Sequence, residues 1–277
     1  MNQRRLLATL TLPAAFALAA CSSTTNGTPT TGGTTHVDDS GVIGAGGACG
    51  DSTSQSDAKG LSDVMQCASA TVKSAHIDLH FDAAGQEITG SGDEELSEGV
   101  LTGLNLTESL PENAGNLTLV IADGKTYAML PSSINPSDKP WVVIRSDSSD
   151  PTIQQLSASL AQTSSSASIG STTAFVTAAR SVTNKGSENI DGVDTTHYSV
   201  DVDPTKLPAD NAGMDAAAQA GITSIPVELY IDSQGRPVKV TEDFSVQGQS
   251  VSVEVTVSKY DQPVNISAPP ADQVATP

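Results

Sequence analysis

From His76 to Ser258 the apolar residues keep returning at every second position. The pattern is sharpest at Val251, Val253, Val255 and Val257, interleaved with Ser252, Glu254, Thr256 and Ser258. It recurs at Ile77, Leu79 and Phe81 against His76, Asp78, His80 and Asp82. It returns at Leu104 and Leu106, at Leu117, Leu119 and Ile121, at Tyr198, Val200 and Val202, and at Val227, Leu229 and Ile231. Successive side chains of a strand point to opposite faces, so a period of two gives one wet and one dry face, as in half-buried antiparallel sheet. Asp123-Gly124 and Gln234-Gly235 each lie between two such runs and predict hairpins.

Helical spacing interrupts the strands. Leu61, Val64, Met65, Ala68 and Val72 share one face of a helix. Asp150-Pro151 reads as an N-cap followed by an N1 proline, with Ile153, Leu156 and Leu160 behind it. A short helix is expected around Phe175, Val176 and Ala179, and another from Met214 to Ala220, stopping at Gly221. Strands, then helices, then strands predict an α+β domain: one curved antiparallel sheet with helices covering its apolar face. Aromatic residues are only 3% of the chain, so the core is aliphatic. The last helix offers little volume at Ala216, Ala217, Ala218 and Ala220, which leaves room for a cavity; close packing is the ordinary alternative.

The N-terminus reads as a lipoprotein signal peptide over residues 1–20. Arg4 and Arg5 precede an apolar run from Leu6 to Ala20, too short to span a bilayer comfortably, and Leu18-Ala19-Ala20-Cys21 matches a bacterial lipobox. Cys21 is then the lipid attachment site, carrying more than the single acyl chain that holds a protein only marginally. This places the protein on the outer face of the cell membrane. Residues 21–60, more than half Ser, Thr and Gly, read as a flexible tether with a reach of roughly 35 Å. A domain from 61 to 270 and a tail from 271 to 277 follow.

Charge excludes one class of partner. With 13 Lys and Arg against 32 Asp and Glu, the net charge of −19 argues against nucleic acid, whose binding draws on clustered cations. The same charge is repelled by anionic headgroups, so membrane attachment falls to the acyl anchor.

Catalytic constellations are sparse. His76, Asp78 and His80 share one strand face and fit either a metal site or a solvated face, but no further Cys or His completes a tetrahedral set. His197 lies near Asp191 and Asp194 without a Gly-x-Ser-x-Gly elbow. Glu94-Glu95 and Glu242-Asp243 read as exposed charges. No enzyme activity, cofactor or metal is expected. Cys49 and Cys67 are 18 positions apart in an exported chain, where disulfides persist, so they either bridge or leave Cys67 as a small buried residue.

Several segments resemble the mycobacterial and actinobacterial lipoprotein family of LppX, LprA, LprF and LprG. They are Lys73-Ser74-Ala75-His76, Asp123-Gly124-Lys125-Thr126-Tyr127-Ala128, Lys139-Pro140-Trp141, Asp191-Gly192-Val193, Thr195-Thr196-His197-Tyr198, Ser258-Lys259-Tyr260, Pro263-Val264 and Ala268-Pro269-Pro270. These are turns and strand ends spread from Lys73 to Pro270. The resemblance implies a half-barrel sheet closed by helices around a hydrophobic cavity, similar to the LolA and LolB carriers. It also implies a function: holding the acyl chains of envelope lipids or lipoglycans and carrying them, with a membrane transporter as a possible partner. The lining would be Ile77, Leu79, Leu104, Leu106, Leu117, Leu119, Ile121, Val227, Leu229, Val253 and Val255, with Leu156, Leu160, Phe175 and Met214 as a lid. The alternative is a protein-interaction or adhesion lipoprotein in which these residues are ordinary filled core.

Overall fold

The computed structural model describes residues 49–275 apart from 84, 112–113, 149, 151–152, 155–156, 158–168, 208–220 and 247. The signal peptide, Cys21, most of the tether, Leu156, Leu160, Met214 and the expected helix at 214–220 lie outside the described residues.

Eleven strands form one open antiparallel sheet. They are β1 (Ser74–Ala83), β2 (Gln86–Ser97), β3 (Val100–Ser109), β4 (Asn116–Ala122), β5 (Lys125–Met129), β6 (Trp141–Ile144), β7 (Ala179–Ile190), β8 (Val193–Val202), β9 (Ile225–Asp232), β10 (Pro237–Val246) and β11 (Gln249–Ser258). Their order is β6-β5-β4-β3-β2-β1-β11-β10-β9-β8-β7. Each half is therefore a run of neighbours in sequence, and the two halves meet where β1 pairs with β11, Ile77 opposite Val257 and Phe81 opposite Val253. The β4–β5 hairpin turns on Asp123 and Gly124, both at positive φ (52° and 68°), as a two-residue turn of this hand requires.

Helix α1 (Ala58–Thr71) is capped by Asp57, whose side chain accepts from the Gly60 N–H, and it buries Leu61, Val64, Met65 and Ala68. Helix α2 (Ile169–Thr177) buries Phe175 and Val176. Both helices join the core formed by β1 and β8–β11. Ala179, expected on the helix, instead opens β7, because the chain leaves the helix at Ala178 to run along the sheet edge. Asp150 accepts from the Ile153 N–H at 3.2 Å, as an N-cap does, and Ile153 is buried against β4–β6.

The expected tether boundary at residue 60 is too late. Ser52 is buried and donates to the Asp232 carbonyl (2.9 Å), while the Tyr198 hydroxyl donates to the Ser52 carbonyl (2.7 Å) and Asn184 donates to that of Thr53 (2.9 Å). These bonds tie the segment ahead of α1 to the sheet end. The segment up to Ala275 is held as well: the Ala275 N–H donates to the Trp141 carbonyl (2.8 Å), and Ile266, Ala268 and Val274 pack on the opposite face of β4–β6 against Val120 and Tyr127, so that face is apolar here too.

Cys49 and Cys67 are joined by a disulfide, with Cα atoms 5.4 Å apart and a sequence separation of 18. Closing a loop of that size restricts the unfolded chain by about 3 kcal/mol. Replacing both cysteines with serine is therefore expected to lower the unfolding midpoint by several degrees, read by thermal melting. An unchanged midpoint would show the bridge to be energetically idle.

Candidate functional site

The register fixes which side chains share the dry face. Around Ile77 it places Val257 on one side and Gly92 on the other. Around Leu106 it places Gly92 and Leu119, and Leu119 then meets Ala128. In the other half Val253 meets Glu242, which meets Val227, which meets Val200. One apolar face thus runs across the sheet, and it carries every described strand residue expected to line a cavity.

Those residues divide into two groups. Ile77, Val227, Leu229, Val253 and Val255, with Leu79 beside them, lie in the core that α1 and α2 complete, and Phe175 belongs to that core. Leu117 and Leu119 belong to a second cluster with Ala128, Leu130, Val142, Ile144 and Ile153. Leu104 and Leu106 are buried on the strand between these groups, while Ile121 is half-buried at the far side.

Beside β3, strand β2 offers hydrogens in place of side chains at Gly90 and Gly92. A β-carbon on Gly92 would lie 2.2 Å from the Asn105 carbonyl oxygen and 2.7 Å from the Leu106 Cα, both backbone atoms of the next strand. The backbone of β3 thus fills the space that a side chain at Gly92 would take, a close approach of the kind that strand glycines mark.

Three carboxyls share this dry face, and two of them correct the expectation of exposed charges. Glu94 and Glu242 are 0% and 1% exposed. In each acidic pair the alternation turns one member inward and the other out: Glu95 and Asp243 are the outward partners. Glu94 lies between Ala75 and Leu104. Glu242 lies between Val227 and Val253, with Val240 and Phe244 two residues away along its own strand. Neither of its oxygens has a hydrogen-bond partner among the described residues. Loss of water pushes its pKa up to about 8, so at neutral pH it is mostly the neutral acid. Glu108, half-buried over Gly90, is raised by the same cause.

The histidines are used on the wet face. His76 Nδ1 donates to Asp93 (2.6 Å), and His197 Nε2 donates to Glu228 (2.6 Å) while its ring stacks on Tyr230 at 4.3 Å. His80 Nδ1 lies 3.5 Å from Glu87. Among the described residues no three His, Cys, Asp or Glu side chains converge as metal ligands, and no helix is long and apolar enough to cross a membrane.

An open antiparallel sheet with one apolar face and two helices packed on one half of it defines the class. Within that class, the structure is similar to the Mycobacterium tuberculosis lipoprotein LppX, at 18% identity and a TM-score of 0.48, covering 75% of this chain and 97% of that one. It is similar to LprF from Mycobacterium bovis, at 13% identity and a TM-score of 0.47 over 78% and 99% of the two chains. A LolA superfamily protein from Nitrosomonas europaea is more distant, at 9% identity and a TM-score of 0.27 over 75% and 95%. LppX and LprF belong to the lipoprotein family whose turn motifs this sequence resembles. No family model matches the sequence. A stretch of 95 residues is 33% identical to an uncharacterized 31.2 kDa protein in the rplA-rplJ intergenic region of Streptomyces griseus, covering 31% of each chain.

Proposed function

We propose that this chain is an envelope lipoprotein, anchored through acylated Cys21, whose dry sheet face binds the acyl chains of a lipid or lipoglycan and carries it between envelope layers. The observation that carries this reading is the apolar face that the register carries across the sheet, with two buried clusters on it. A sheet face walled by Leu104, Leu106 and valines suits a flexible hydrocarbon chain, and a site for such a ligand is mostly apolar with a few placed polar groups. Transfer from one membrane to another needs no more than walls as dry as the bilayer. The helices would then form a lid over the face, and a half-barrel would enclose the cargo.

Native mass spectrometry of the protein purified from its own host tests this. The expected result is a noncovalent lipid mass in addition to the anchor. Protein that arrives empty, and stays empty after incubation with dipalmitoyl phosphatidylcholine vesicles, overturns the reading and leaves an interaction lipoprotein with a filled core.

A further inference from the structure

Glu242 stands out among the polar groups of the dry face. It is mid-strand on β10, enclosed by Val227, Val240, Phe244 and Val253, and 1% exposed. Helix α2 touches β10 from the same core. Buried polar groups in folded proteins almost always have partners, because an unmet one keeps the full penalty of leaving water. Both oxygens of Glu242 lack one among the described residues. Glutamate is also among the residues least often found fully buried. A valine in its place would continue the apolar run of Val227, Val240 and Val253 around it without that penalty.

Resting on the acyl-binding reading above, we infer that the Glu242 carboxyl is the polar hook of the site, donating its O–H to the acyl carbonyl of the bound lipid. A neutral acid in this setting offers one donor. The group that meets it must accept a hydrogen bond and must reach an apolar wall on the end of a hydrocarbon chain. Ester and amide linkages of acylated lipids have that composition, whereas an alkyl ether lacks the carbonyl. The hook fixes how deep the chain enters, since the linkage stops at Glu242 and the headgroup remains on the solvent side of it. The recognised class is therefore O-acyl and N-acyl lipids, selected by the linkage rather than by the headgroup.

Competition between two lipids that differ only in that linkage tests the inference. The full-length protein and its Glu242→Gln and Glu242→Leu variants are incubated with an equal mixture of dipalmitoyl phosphatidylcholine and dihexadecyl ether phosphatidylcholine, and bound lipid is weighed by native mass spectrometry. An otherwise unmet buried donor predicts about a tenfold preference for the ester. Glu242→Gln keeps a donor and is expected to keep the preference. Glu242→Leu fits its apolar neighbours, so it folds, and it is expected to bind both lipids alike. Equal binding by the unmodified protein, or a preference that survives Glu242→Leu, overturns the assignment of Glu242 while leaving acyl binding intact. Binding of neither lipid by any of the three overturns acyl binding itself, and the hook with it. A parallel mixture of an N-acyl and an O-acyl lipid of equal chain length separates amide from ester as the favoured linkage.

Discussion

As the pH rises from 5 to 8, the folded protein is expected to lose stability that the Glu242→Gln variant keeps. The sign follows from proton binding. Glu242 holds its proton in the folded state up to about pH 8 but releases it near the ordinary value of 4.5 once unfolded. Between those two values the folded state binds more protons, so unfolding becomes easier as protons grow scarce. The contribution is fully present below about 4.5, falls through the interval and is flat above 8. At 1.36 kcal/mol per unit, a shift of that size is an upper bound on the order of 5 kcal/mol. Glutamine has the same shape without the charge, so the difference between the two proteins isolates this carboxyl from every other titration. Urea unfolding at pH 5, 6.5 and 8 measures it. Parallel dependences for the two proteins would mean that Glu242 is not buried as an acid.

The same residue shows what could be read in the sequence and what could not. Val238, Val240, Glu242 and Phe244 are in phase, so the inward direction of Glu242 was written in the alternation; the adjacent Asp243 hid it by making the pair look like a solvated charge cluster. Strands with a clean dry face, such as β1, β9 and β11, were legible from the valine and leucine pattern alone. β7 was not, because it is an edge strand exposed over most of its length and has no apolar alternation to display. β2 was hidden for the opposite reason: its inward positions include Gly90, Gly92 and Glu94, so its dry-face positions have no apolar alternation to display. Resemblance supplied the half-barrel expectation, since turn motifs such as Asp123-Gly124-Lys125 report connectivity. It could not report the close approach at Gly92, whose neighbouring backbone is near only in the folded sheet. The binding of residues 49–57 to the sheet end was likewise invisible, as it rests on single hydrogen bonds to Tyr198, Asn184 and Asp232.

A single carbon added at Gly92 is expected to cost far more than one added two residues earlier. Alanine at Gly92 brings its Cβ to 2.2 Å from the Asn105 oxygen and 2.7 Å from the Leu106 Cα. Both obstacles are backbone, held in the β2–β3 ladder by the register that pairs Gly92 with Leu106 and Asp93 with Asn105. No rotamer change relieves them, so the strands must part or the sheet must flatten. Either change would carry Leu104 and Leu106 away from the core of β1 and β11 and expose that part of the dry face to water. The expected cost exceeds the ~1–3 kcal/mol of ordinary core overpacking. Gly90 is the control: an added carbon there first meets Glu108 Cγ at 3.3 Å, then Leu79 Cβ and Leu106 Cδ1 at 3.5 and 3.6 Å. These are side chains, and the half-buried Glu108 can swing aside, so Gly90→Ala is expected to stay within about 1 kcal/mol of the unmodified protein, helped by the smaller entropy of its unfolded chain. Chemical denaturation of both variants gives the comparison, and acyl-lipid occupancy of each reports the dry face. If Gly92→Ala proves as stable as Gly90→Ala, the backbone of β3 does not press on Gly92 in the folded sheet.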